Sequence, residues 1–97
     1  MIKITKLISG EEIIGDVTPL PDNRMRIDKP VALAYVPSRD QPGQQAMGMV
    51  PYGPYTKEHS IEISANHVIW QGDIIEEIYN QYSGIFGSGI QIVGGNL

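Results

Sequence analysis

The chain has 97 residues, seven basic against eleven acidic, a formal charge of −4 and no cysteine. That length predicts one domain with a modest core. The missing cysteines exclude a disulfide framework and a Cys-based zinc site, and an acidic balance without a basic run argues against a protein whose main task is sequence-blind binding to phosphate backbones.

The opening MIKITKLISGEE alternates apolar with polar residues and has no long apolar run. It predicts neither a signal peptide nor a membrane span, and hence a cytoplasmic protein. Ile2, Ile4 and Ile8 share one face of an extended segment, with Lys3, Thr5 and Leu7 on the other. Ser9-Gly10-Glu11 supplies a tight turn. Ile13, Gly15 and Val17 alternate with Glu12, Ile14, Asp16 and Thr18 as the return strand. A glycine inside a strand marks a sharp bend or the close approach of another backbone, so Gly15 predicts one or the other. Pro19 to Asn23 is a turn by composition.

Arg24 to Val36 reads as a long strand interrupted at Lys29-Pro30, where proline lacks a ladder donor and the strand must kink or lie on an edge. Residues 37–60 predict a long excursion with one short strand near Met47 to Val50, carrying the motif Pro51-Tyr52-Gly53-Pro54-Tyr55. Strands are thus expected within 2–36, 46–51 and 61–70. In the last, Ile61-Glu62-Ile63 and Val68-Ile69-Trp70 flank a brief turn at Ser64 to His67.

The period then changes. Asp73 followed by Glu76 has the spacing of a capping box, and Glu76 and Glu77 suit the positive end of a helix. Ile74, Ile75, Ile78, Tyr79 and Tyr82 fall on one stripe, which predicts an amphipathic helix over about 73–83, ended by Ser83-Gly84. The tail, 84–97, contains a last possible strand at Ile90 to Val93.

Chemistry-bearing residues are few. Tyr52 and Tyr55, with Met47 and Met49 nearby, can stack on nucleic-acid bases or pack an interface. Asn66 and His67 sit together in a turn. Lys57, Arg24, Arg26 and Arg39 are scattered. His59 reads as a solvated loop residue, and two histidines without cysteine or helically spaced carboxylates make a poor metal site. Gly87-Ser88-Gly89 has no following Lys-Ser/Thr and is no phosphate loop. Without a nucleophile–base pair or a metal cluster, the expectation is a protein that is not an enzyme and needs no cofactor.

Two stretches carry a resemblance. LISGEEIIGDV, residues 7 to 17, resembles the first Sm motif, and Ile63 to Trp70, ISANHVIW, resembles the second, Ile-Arg-Gly-Asn-x followed by three apolar residues. Over nearly its whole length, PYGPY and FGSGIQIV included, the chain is similar to short Sm-like proteins carried by tailed phages of marine cyanobacteria. The resemblance implies an all-β domain with one short C-terminal helix, a strongly bent five-stranded open barrel of the Sm-like (SH3-type) kind. It implies that the last two strands are open edges lent to neighbouring copies, Ile61, Ile63, Val68 and Trp70 lying at the interface of a ring of roughly five to seven subunits. It further implies single-stranded RNA as a partner, with Asn66 matching the motif's contact residue; His67, Tyr52, Tyr55 and Lys57 are further candidate contacts by their own chemistry. The departures are specific. The family's Asp-x-φ-Met-Asn element is absent, Asp22 and Asn23 being adjacent, and Ser64 and Ala65 replace the Arg-Gly of the second motif. A ring that has kept the scaffold and grips a phage or host protein is therefore the alternative expectation.

Overall fold

A computed structural model describes residues 1–37, 40 and 43–86. Six strands and one helix follow in chain order: β1 (Ile2–Leu7), β2 (Glu12–Leu20), β3 (Arg24–Pro37), β4 (Gln45–Pro51), β5 (Ser60–Ser64), β6 (Val68–Asp73) and α1 (Glu76–Phe86). One mostly antiparallel sheet results, ordered β4-β3-β2-β1-β6, with β5 pairing β3. Mostly-β structure with a C-terminal helix thus agrees with expectation, while the strands among the described residues number six rather than five. Five is the number the family resemblance implies; β4 itself lies where the residues placed a strand, at 46–51, and pairs from Gln45 to Pro51 with Val31 to Pro37 of β3, which continues past the kink.

The kink itself falls at the predicted dipeptide. Lys29 has φ 52°, a left-handed conformation uncommon for a residue with a side chain. Before it, Arg24 to Asp28 pair with β5; after it, Val31 to Pro37 pair with β4. Gly15 lies in the register shift of β2 opposite this corner. A Cβ there would stand 2.4 Å from Ile27 Cγ2 and 2.9 Å from the Asp28 carbonyl oxygen, so the close approach expected of Gly15 is real.

The bent sheet has two apolar faces. Leu7, Ile13 and Ile27 are buried on the concave one, with Val17, Met25, Tyr52, Ile61, Ile63 and Val68 against them. On the other, Ile14, Val31 and Tyr82 are buried beneath α1, with Ile2, Ile4, Leu33, Met49, Ile74, Ile78 and Phe86 around them. Both faces of β1 are therefore used, Ile2 and Ile4 against the helix and Thr5 and Leu7 in the concave core.

The helix begins later than the periodicity predicts. Asp73 ends β6 opposite Lys3 and accepts a bond from Lys3 Nζ at 2.7 Å, so it does not cap the helix. That bond and that of Arg26 to Asp28 and Glu58 are exposed ion pairs that locate strands more than they stabilise them. The buried stripe is Ile78, Tyr82 and Phe86, four residues apart, and Ile75 and Tyr79 are exposed. The possible strand at Ile90 to Val93, Gly87-Ser88-Gly89 and Arg39 lie outside the described residues. Among the described residues no helix is long and apolar enough to cross a membrane.

Candidate functional site

The turn that joins β5 to β6 is a 3-10 turn, Ala65–His67, held from three directions. Asn66 N–H donates to Ser64 Oγ at 3.1 Å, a cap within the turn. Ala65 N–H donates to the Asn23 carbonyl at 2.8 Å, and Ile8 N–H donates to the His67 carbonyl at 2.9 Å. The β5–β6 turn is thereby stitched to the β2–β3 turn on one side and to the end of β1 on the other. The sequence supports this locally: Asp22 and Asn23 both have positive φ, near 60°, a conformation that short polar side chains tolerate.

At this junction Asn23 Nδ2 donates to Asn66 Oδ1 at 2.9 Å. The pairing leaves the Asn66 amide NH2 and the Asn23 amide oxygen unengaged within the pair, one donor and one acceptor side by side at an exposed position. Such a set matches the hydrogen-bonding edge of a nucleobase. Arg24, next to Asn23, reaches Glu62 at 3.4 Å, so the positive charge closest to the turn in sequence is shared with a carboxylate. Ser64, in place of the arginine of the Sm pattern, spends its hydroxyl on the turn.

Beside the turn lies a cleft of about 350 Å³ lined by Leu7, Ile8, Ser9, Tyr52, Ile63 and His67. Tyr52, which lines the cleft, donates to Glu11 Oε2 at 3.3 Å. Burial, and then the nearby Glu11 carboxylate, pushes the Tyr52 phenol above its ordinary range. Glu11 is held below the usual carboxylate range chiefly by the Ser9 hydroxyl, against a smaller opposing effect of desolvation.

The residues singled out in sequence are thus divided. Asn66 joins Asn23, and His67 and Tyr52 share the cleft. Tyr55 is 99 % exposed, and Lys57 opens the 3-10 turn Lys57–His59 that precedes β5. These two stand at the opposite end of β5 from Asn66, roughly 15 Å away along the strand. His59 is not the solvated loop residue expected: it is half-buried, its Nε2 donates to the Tyr52 carbonyl at 3.3 Å, and its ring lies 5.7 Å from that of Phe86.

Of the four apolar residues expected at a subunit interface, Ile61, Ile63 and Val68 turn their side chains into the concave core, and Trp70 is 44 % exposed. All four lie on strands with a free edge. Among the described residues β5 pairs only with β3, and β6 only with β1. Sequence reasoning missed Asn23 as Asn66's partner, Ser9 as a cleft residue and Glu11 as the acceptor of the Tyr52 hydroxyl. Asn23 was detectable only through strand pairing, since Arg24 lies opposite Ser64 and brings the two turns together. No protein-family model matches the chain, and no curated protein matches it.

Proposed function

We propose that this protein is a non-catalytic cytoplasmic ring, built by pairing the free edge of β5 in one copy with the free edge of β6 in the next, in the manner of an Sm-like barrel. RNA is the proposed ligand, held at the Asn23–Asn66 end. The observation that carries the assembly is the pair of half-satisfied strands flanking Ala65–His67. Among the described residues each is bonded on one side only, and β6 also presents Ile69 and Trp70, which are 58 % and 44 % exposed. Unpaired edges with exposed apolar side chains need a partner. Two different edges on one chain give a head-to-tail contact that a ring can close. The exposed amide pair supports the RNA reading, because it offers both a donor and an acceptor where a base edge can meet them.

One observation favours the alternative, a ring that grips a protein. Arg24 is neutralised by Glu62, and Ser64 supplies no charge, so phosphate finds little to hold at this end.

The edge can be tested without disturbing the core. Ala65 N–H bonds to the Asn23 carbonyl, so 23 and 65 form a bonded pair. Two residues along the antiparallel register, Met25–Ile63 and Ile27–Ile61 are bonded likewise. The Glu62 N–H therefore points away from β3. Glu62→Pro removes that outward donor and leaves the β3–β5 ladder intact. Light scattering should show a multiple of the 10.7 kDa chain for wild type and a smaller particle for the variant, with unchanged circular dichroism. A wild-type monomer at micromolar concentration overturns the ring. Titration with oligo-U and oligo-A should show affinity falling as salt rises; no binding at low salt leaves the protein-gripping ring.

A further inference from the structure

The sheet has a third free edge, which the ring does not use. Among the described residues β4 pairs only with β3. Tyr52 N–H donates to the Pro30 carbonyl at 2.9 Å, so 30 and 52 form a bonded pair. Along the register from there, Ala46, Gly48 and Val50 turn their backbone groups toward β3, and Gln45, Met47, Met49 and Pro51 turn theirs outward. Pro51 thus occupies an outward position, where its missing N–H costs the ladder nothing. The strand, QAMGMVP, carries no charged residue and so lacks the commonest guard against edge pairing. On the helix side of the sheet Met47 lines an apolar cleft of about 190 Å³ with Ile4, Leu33, Ile74, Ile75 and Ile78.

We propose that β4 pairs antiparallel with β4 of a second copy of this chain, about a two-fold axis through Gly48. Charge favours self-pairing at this edge over self-pairing at β5. The same operation on β5 sets Glu62 against its own copy, whereas two neutral β4 strands meet without like charges opposed, even though each chain carries −4. The register follows from the outward groups. With Gly48 on the axis, Met47 and the second copy's Met49 exchange N–H and C=O in both directions, and symmetry repeats the exchange. Gln45 N–H meets the second copy's Pro51 carbonyl, and the donor that Pro51 lacks falls at the end of the ladder. Centring the axis on Met49 instead sets Pro51 opposite Met47 and forfeits an interior bond. At the axis two residues without side chains face each other at the closely spaced, non-bonded position. On one face Met47 lies beside the second copy's Met49, extending the apolar floor of the cleft. On the other Ala46 lies opposite the second copy's Val50.

The proposal uses neither β5 nor β6 and stands or falls apart from the ring. Its test is the mass of the full chain by light scattering, from micromolar to hundred-micromolar concentration. Met47→Pro removes an outward donor, and by symmetry two interstrand bonds, together with the side chain that lies beside the second copy's Met49. The β4-linked particle should split into halves, with a dissociation constant about thirtyfold higher. Ala46→Lys, at an exposed position, should weaken the pair on its own. The double variant Ala46→Lys, Val50→Glu should restore it, because the proposed register sets position 46 of one copy opposite position 50 of the other. If wild type and Met47→Pro have equal mass at every concentration and both are folded, the proposal is overturned. If Met47→Pro fails to fold, the lysine variant decides: mass unchanged by Ala46→Lys, or a double variant no stronger than the single, overturns it equally. Loss of the larger assembly in Glu62→Pro with a β4-linked pair remaining separates the two interfaces.

Discussion

Replacing Gly15 with alanine should destabilise the protein by about 2 kcal/mol, and the figure follows from what surrounds the added methyl. Its Cβ would stand 2.4 Å from Ile27 Cγ2, 2.9 Å from the Asp28 carbonyl oxygen and 3.4 Å from Pro30 Cα. None of these yields easily. Ile27 and Pro30 are fully buried, and the Asp28 oxygen is backbone at the corner of β3. Overpacking a tight site costs about 1–3 kcal/mol, and rigid neighbours place Gly15 at the upper end. Against this, alanine restricts the unfolded chain and returns about 0.4–1 kcal/mol. A net loss of about 2 kcal/mol lowers the melting temperature of a domain this size by roughly 8–16 °C. Gly84→Ala is the matched control. The glycine is within α1 with nothing near its absent Cβ, so the same substitution should stabilise by about 0.5–1 kcal/mol. Thermal and urea melts at one fixed chain concentration give both numbers, fixed because assembly also shifts the midpoint. A Gly15→Ala melting temperature equal to wild type would refute the close-approach argument and the corner geometry with it.

Tyr82 donates to the Lys29 carbonyl at 2.9 Å, and burial, then Asp16 and Asp28, pushes its phenol well above the ordinary 10.0. The folded state keeps a proton that the unfolded state releases, so the stability it contributes is complete below pH 10 and is lost as pH rises further. Tyr82→Phe should cost about 1–2 kcal/mol at neutral pH and flatten the alkaline limb of a stability–pH curve; an unchanged limb would assign that limb to other groups. Tyr55→Ala should leave stability within about 0.5 kcal/mol and weaken RNA binding by about 1–3 kcal/mol if its exposed ring stacks on a base. Tyr52→Ala should instead lose about 2–3 kcal/mol of stability, because its ring packs in the concave core. Equal melting temperatures for the two tyrosine variants would contradict that division. If RNA sits on the amide pair, Asn23→Ala and Asn66→Ala should each reduce affinity by about 0.5–1.5 kcal/mol with little change in the salt slope; a changed slope would point to phosphate contact.

What the chain announces locally, it announces well. Gly15 and Lys29-Pro30 break strand patterns in ways that have few physical causes, and both mark the corner where β2 and β3 turn. The two faces of β1 were harder to read. Alternation suggests one buried and one solvated face, but α1 covers the second, and no local signal says where a helix starting only at Glu76 will pack. Asp73 misleads because two roles suit it. It has the spacing of a capping box, but an ion pair with Lys3 across the β1–β6 ladder claims it for the strand. The Asn23–Asn66 pair is legible only once β3 and β5 are known to pair, a contact between residues forty apart in sequence.

The kink at Lys29-Pro30 links these features. A straight fourteen-residue β3 would offer one continuous edge to one partner strand. Bent, it divides that edge. Its first half takes β5, bringing Ser64 opposite Arg24 and so Asn66 to Asn23; its second half takes β4 and leaves that strand projecting with a neutral outer edge. Both interfaces proposed for this chain therefore depend on one corner, and Gly15 is the residue that lets the corner close. A variant that straightens it should lose the amide pair and the β4 edge together, even though neither touches position 15. This makes the coupling measurable: in Gly15→Ala, any loss of assembly should track the loss of stability, whereas Glu62→Pro and Met47→Pro should separate assembly from stability.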